Sequence, residues 1–119
     1  MIGGIDHINI DTCDVEATAA FYSRVLGLEA RDKPSGNPGV WLYSGDHAWV
    51  HVNPVEAGAT STGLFNHVAF SGSNLEAVNR QLKESGVYYE LTRRPDRGLA
   101  QFTLTDPNNI NLEITVPLP

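Results

Sequence analysis

Residues 5–10 read IDHINI and residues 65–70 read FNHVAF. Each is a short apolar run with a histidine in third place, and the two histidines, His7 and His67, stand 60 positions apart in a chain of 119 residues. An imidazole is costly to bury unless its ring nitrogens find partners. Repeating it in the same slot of two apolar segments, half a chain apart, marks a duplicated unit. The following sequence repeats as well. After IDHINI comes a polar break, a helical stretch and Gly27; after FNHVAF comes a polar break, a helical stretch and Gly86.

Leu75, Val78 and Leu82 fall at i, i+3 and i+7 and form one face of a helix. Ser73 and Glu76 have the spacing of a capping box at its start. Val15, Ala19, Tyr22 and Leu26 give the corresponding stripe in the first half, and Gly27 and Gly86 suit the left-handed position that stops a helix. VWLY (40–43) and AWVHV (48–52) read as strands joined by the turn SGDH (44–47). LAQFTLT (99–105) and INLEITV (110–116) read as strands joined by DPNN (106–109). KPSGNPG (33–39) is a loop by composition. The chain therefore reads as one α+β domain, 1–119, with module 1 at 1–53, a linker at 54–63 and module 2 at 64–119.

Side chains alternate faces along a strand. Ile8 and Ile10 share one face, and His7 shares the other with Ile5 and Asn9. Val68 and Phe70 oppose His67 and Ala69 in the same way. In the last strand Leu112, Ile114 and Val116 oppose Asn111, Glu113 and Thr115. Glu113 follows His67 by 46 positions, and His51 follows His7 by 44. Four candidates thus fall on the faces turned away from the helices: His7, His51, His67 and Glu113. Imidazoles with one carboxylate suit Zn²⁺, Fe²⁺, Mn²⁺ or Ni²⁺ and leave positions where water, oxygen or substrate binds. His51 fits two roles, fourth ligand or general base, since histidine titrates near neutral pH. His47, beside Asp46 in the turn, has no counterpart in the repeat and reads as a surface residue. Trp49, Tyr43 and Phe102, with Trp41, are the aromatic candidates for a substrate pocket. Trp49 shares a face with His51, while Trp41 and Phe102 read as core ahead of pocket lining.

The net charge is −6, which disfavours nucleic acid because little here would neutralise phosphates. Arg93, Arg94 and Arg97 form a local basic cluster that reads as a solvated loop. The single cysteine, Cys13, precludes an internal disulfide and fits a reducing compartment. With no basic-then-apolar leader and no membrane-length apolar run, the expectation is a cytoplasmic protein with no membrane partner.

The combination of IDHINI with FYSRVLGLE, then FNHVAF, then FTLTDPNNINLEI resembles the vicinal oxygen chelate superfamily across essentially the whole chain. That group includes glyoxalase I, extradiol ring-cleaving dioxygenases, fosfomycin-resistance enzymes and bleomycin-resistance binding proteins. The resemblance implies two tandem βαβββ modules whose mixed sheets curl into a partly open barrel around a metal. It also implies a homodimer, often with modules exchanged. The family's metal positions fall on His7, His67 and Glu113, and His51 stands where glyoxalase I carries a second glutamate. The function implied is a divalent-metal-dependent enzyme, a dioxygenase or a glyoxalase-like lyase or isomerase, acting on a small oxygenated molecule bound as a chelate. The alternative is a metal-free protein of the bleomycin-resistance type that sequesters a small molecule; the retained His7, His67 and Glu113 favour the enzyme.

Overall fold

A computed structural model describes residues 1–34, 36–57 and 62–119 of the chain. It divides into two compact units, Met1–Gly58 and Ala59–Pro119. The loop at 33–39 and the linker at 54–63 each include positions outside the described residues.

The first unit runs β1 (Ile8–Thr12), α1 (Val15–Leu26), β2 (Glu29–Asp32), β3 (Val40–Ser44) and β4 (His47–Pro54). Its sheet has the order β1-β4-β3-β2. β1 runs parallel to β4, and the other two pairings are antiparallel. The second unit repeats the plan with β5 (Val68–Ser71), α2 (Leu75–Ser85), β6 (Glu90–Arg94), β7 (Leu99–Thr105) and β8 (Asn111–Pro117), a short 3₁₀ turn (Pro95–Arg97) joining β6 to β7. Its order is β5-β8-β7-β6, again with one parallel pair, β5 with β8. Two βαβββ modules with mixed sheets are therefore present, as the sequence implied.

The helix starts and stops follow from local chemistry. Asp14 caps α1 by accepting the Ala17 amide through Oδ1 at 2.9 Å. α2 is capped by Asn74, whose Oδ1 accepts from Ala77 N at 3.0 Å. The expected capping box on Ser73 is therefore displaced by one residue. Asn74 sits at φ 69°, a left-handed conformation that asparagine tolerates better than serine. Gly27 at φ 73° and Gly86 at φ 76° stop the two helices as expected. Gly39, at φ 106°, lies so close to the Val52 carbonyl oxygen that a β-carbon would collide with it.

Each sheet buries one face. In the first unit Ile10, Leu42, Val50 and Val52 are buried, as are Phe21, Tyr22 and Val25 of α1, which packs on β3 and β4. The buried stripe of α1 is Thr18, Phe21, Tyr22 and Val25, not the expected Val15, Ala19, Tyr22 and Leu26. The two aromatic rings at 21 and 22 rotate the helix toward themselves because they remove the most apolar area from water. In the second unit Ala100, Phe102, Leu104, Leu112, Ile114 and Val116 are buried, with Leu82 the buried side chain of α2. Asp106 holds the β7–β8 turn: its Oδ1 accepts from the amides of Asn108 and Ile110 at 2.7 and 2.9 Å. That local bonding explains why a buried aspartate opens the DPNN turn.

Candidate metal centre

Strand register makes the duplication testable residue by residue. In the first unit Asn9 and Trp41 flank His51 on the neighbouring strands. In the second unit Ala69 and Thr103 flank Glu113. His51 and Glu113 are thus structural counterparts, as the spacing predicted, and Trp41 and Thr103 are counterparts too.

In the first unit His7 immediately precedes β1, and its Nδ1–H donates to Asp6 Oδ2 at 2.7 Å. The carboxylate can only accept, so the proton sits on Nδ1 and the lone pair is left on Nε2. This hydrogen bond from His7 holds the Asp6 carboxyl below its usual range. The His7 ring stacks on His51 with centroids 3.8 Å apart and planes 11° from parallel. The other face of His51 stacks on Trp41 at 4.1 Å and 12°. Burial pushes the His51 imidazole below its ordinary pKa. A register shift between Leu42 and Tyr43 marks a bulge beside this stack. Bulges of this kind re-aim side chains next to functional sites.

One expectation changes here. Trp41 is not core: its register with His51 puts it on the same face, half-buried against the ring. His47 is at the surface as expected, its side chain 43% exposed, but it opens β4, its Nε2–H donates to the Asp6 carbonyl at 2.6 Å, and its ring packs on Trp49 at 4.2 Å. Trp49 is 40% exposed and lies against His47 rather than His51. Tyr43 carries the Arg31 guanidinium over its ring at 4.3 Å.

In the second unit His67 precedes β5, and its Nδ1–H donates to Asn66 Oδ1 at 2.8 Å. His67 Nε2 then faces Glu113 Oε2 at 3.6 Å. That separation is too long for a hydrogen bond. Both atoms would be free to serve as donors to a divalent cation. Gln101 Nε2 also approaches Glu113 Oε2, at 3.4 Å. A cavity of about 460 Å³ opens here, lined by His67 and Glu113 with Asn66, Tyr88, Glu90 and Thr103. Phe102 does not line it; the ring is fully buried beside Tyr89 in the core of its unit.

The structure thus brings His7 together with His51, and His67 together with Glu113, one pair in each unit. Among the described residues, no three histidine, cysteine, aspartate or glutamate side chains form a group able to hold a metal ion. The donor chemistry nonetheless fits a divalent cation. Metal-bound histidines almost always give their second ring N–H to a carboxylate or amide oxygen. Asp6 and Asn66 do so for His7 and His67. Sequence reasoning missed these two residues, although their signal was plain: an acidic or amide side chain directly before each repeated histidine.

The sequence profile of the Glyoxalase/Bleomycin resistance protein/Dioxygenase superfamily matches residues 4–114. Among solved structures, a putative glyoxalase family protein from Bacillus anthracis aligns with TM-score 0.77 at 23% identity, covering 98% of this chain and 97% of that one. A glyoxylase/bleomycin resistance protein/dioxygenase domain from Frankia sp. EAN1pec aligns with TM-score 0.78 at 15% identity, covering 98% and 93%. A genomically encoded fosfomycin resistance protein from Listeria monocytogenes aligns with TM-score 0.72 at 19% identity, covering 98% and 94%. At these identities the likeness is one of fold. No curated protein matches the chain.

Proposed function

The chain belongs to the Glyoxalase/Bleomycin resistance protein/Dioxygenase superfamily, and on that premise we propose that it is a divalent-metal-dependent enzyme acting on a small oxygenated molecule bound as a chelate. His7, His67 and Glu113 are the proposed ligands of one Fe, Mn, Zn or Ni ion. The observation that carries this reading is the matched preparation of the two histidines. Each has Nδ1 tied to the side chain before it, at 2.7 Å in one unit and 2.8 Å in the other, which leaves Nε2 as the donor.

When bound, the ion supplies Lewis acidity toward two neighbouring oxygens of the substrate. The residues of the chain do the rest. Asp6 and Asn66 fix the tautomers of His7 and His67. Glu113 brings one negative charge, so the three ligands leave a divalent site with net positive charge, suited to an oxygen that gains electron density during reaction. Gln101 holds the carboxylate from the side. The Thr103 hydroxyl in the cavity lining offers a hydrogen bond to a further oxygen of the substrate.

A homodimer accompanies this reading. Each sheet ends in strands paired on one side only, β1 and β2 in one unit and β5 and β6 in the other. Such edges invite a partner strand. Ile5 and Phe65, 75% and 81% exposed, flank the entries to β1 and β5. Sedimentation should show a dimer at micromolar concentration; a monomer would refute it. The exposed, unpaired Cys13 thiol suits a cytoplasmic setting. No helix among the described residues is long and apolar enough to cross a membrane.

The test is elemental analysis of protein purified without a histidine tag, alongside His7→Ala, His67→Ala and Glu113→Ala. Wild type should carry metal and each variant should lose it. Full occupancy in all three variants would remove the assignment, and metal-free wild type that also fails to take up added Zn²⁺ or Mn²⁺ would favour the sequestering reading.

A further inference from the structure

We propose that His51 and Trp41 form a positioning stack that holds the His7 ring in its ligating orientation, with His51 serving neither as a fourth metal ligand nor as a proton-transfer group. This rests on the reading of His7 as a ligand.

The geometry decides against shared ligation. A coordinating imidazole keeps its ion in the ring plane, on the nitrogen lone pair, at about 2.1 Å. The His7 and His51 planes are 11° apart in angle, with centroids separated by 3.8 Å. Planes so nearly parallel meet only on the order of 20 Å away, about ten bond lengths beyond the reach set by coordination. An ion on His7 Nε2 therefore lies outside the plane of His51. For both rings to bind it, the stack would have to break and His51 would have to leave Trp41 as well.

The surroundings of His51 also oppose a role in proton transfer. One face lies on His7 and the other on Trp41. A ring held flat between two others has little freedom to swing toward a substrate proton. What it does have is flat contact with His7 over the whole ring. Asp6 fixes His7 at Nδ1, which defines the axis of the ring; the stack fixes the rotation about that axis. Two constraints of different kind then determine where Nε2 points.

The second unit provides the contrast. Its counterpart of His51 is Glu113, and its counterpart of Trp41 is Thr103, which has no ring to cover the neighbour. Glu113 faces His67 Nε2, whereas His51 lies between two rings. The same place in the repeat therefore holds a ligand in one unit and a support in the other.

The test is Zn²⁺ and Co²⁺ affinity of apo-protein for wild type, His7→Ala, His51→Ala, His51→Phe and Trp41→Leu, with the visible spectrum of each Co²⁺ form and a thermal melt to confirm folding. Loss of binding in His7→Ala establishes the ligand reading on which the stack depends; unchanged binding there overturns both. With His7 established, His51→Ala should weaken binding about tenfold, the lower end of the range for an outer-shell support. His51→Phe keeps a flat ring and should restore affinity to within about twofold of wild type, with an unchanged Co²⁺ spectrum. Trp41→Leu, distant from any ligand, should weaken binding by several-fold. Equal loss in His51→Ala and His51→Phe, with a changed Co²⁺ spectrum, would make His51 a ligand and overturn the proposal. Unchanged affinity in both would overturn it the other way, leaving the base role.

Discussion

The two units share a plan and differ in what they put on it. Their buried sides agree. Leu42 and Val50 in one unit correspond by register to Leu104 and Leu112 in the other, and all four are buried. Their open sides disagree. One carries three stacked rings, His7, His51 and Trp41; the other carries a carboxylate facing a histidine over a cavity lined by polar side chains. The helices differ as well: α1 buries four residues, including Phe21 and Tyr22, whereas α2 buries Leu82 alone. The lesson is that the frame is set by the side of each strand that water does not reach. The exposed side is free to diverge, and there the chemistry is divided between the halves.

Replacements in the shared frame should have the largest effect. Leu42→Ala and Leu104→Ala should each lower stability by about 2–5 kcal/mol in chemical denaturation. The comparison breaks if one of the pair costs under about 1 kcal/mol, because the two positions would then not be equivalent in packing. Asp6→Ala comes next. It removes the acceptor at His7 Nδ1 and should weaken metal binding about 10–100-fold with little change in melting temperature. Asp6→Asn sharpens the contrast, because it copies the second unit, where Asn66 does this work. That variant should retain most of the affinity, losing less than about tenfold. A loss as large as that of Asp6→Ala would show that the negative charge, not the hydrogen bond, matters. The smallest effects belong to the helix caps. Asn74→Ala should cost about 1 kcal/mol, and Asn74→Gly only a few tenths, since glycine also accepts the left-handed backbone. Ser73→Ala should cost less than either, as the side chain of Asn74 makes the cap.

What the sequence made legible is what repeats with a short period. Alternation in IDHINI and FNHVAF separated the histidines from the less exposed apolar face, and the 44- and 46-residue spacings paired His51 with Glu113. Register then confirmed that pairing. The illegible parts depend on neighbours distant in sequence or on one-residue offsets. Trp41 lies against His51 because β3 pairs with β4 around a bulge, and no local pattern announces a bulge. The cap fell on Asn74 rather than Ser73 because a positive φ favours asparagine. The stripe of α1 turned because two adjacent aromatic residues outweigh a smaller regular stripe.

The central claim is that one divalent ion is held by two imidazoles and one carboxylate, with the third imidazole of the open faces held back as a support. X-ray absorption spectroscopy of the metal-loaded protein reads the coordinating atoms directly, because an imidazole adds a recognisable outer-shell scattering pattern and a carboxylate does not. The account predicts two imidazoles with oxygen donors in the remaining positions, unchanged in His51→Phe. A spectrum with three imidazoles that falls to two in that variant would contradict the division of roles between His51 and Glu113, and a spectrum with no imidazole would contradict the metal centre itself.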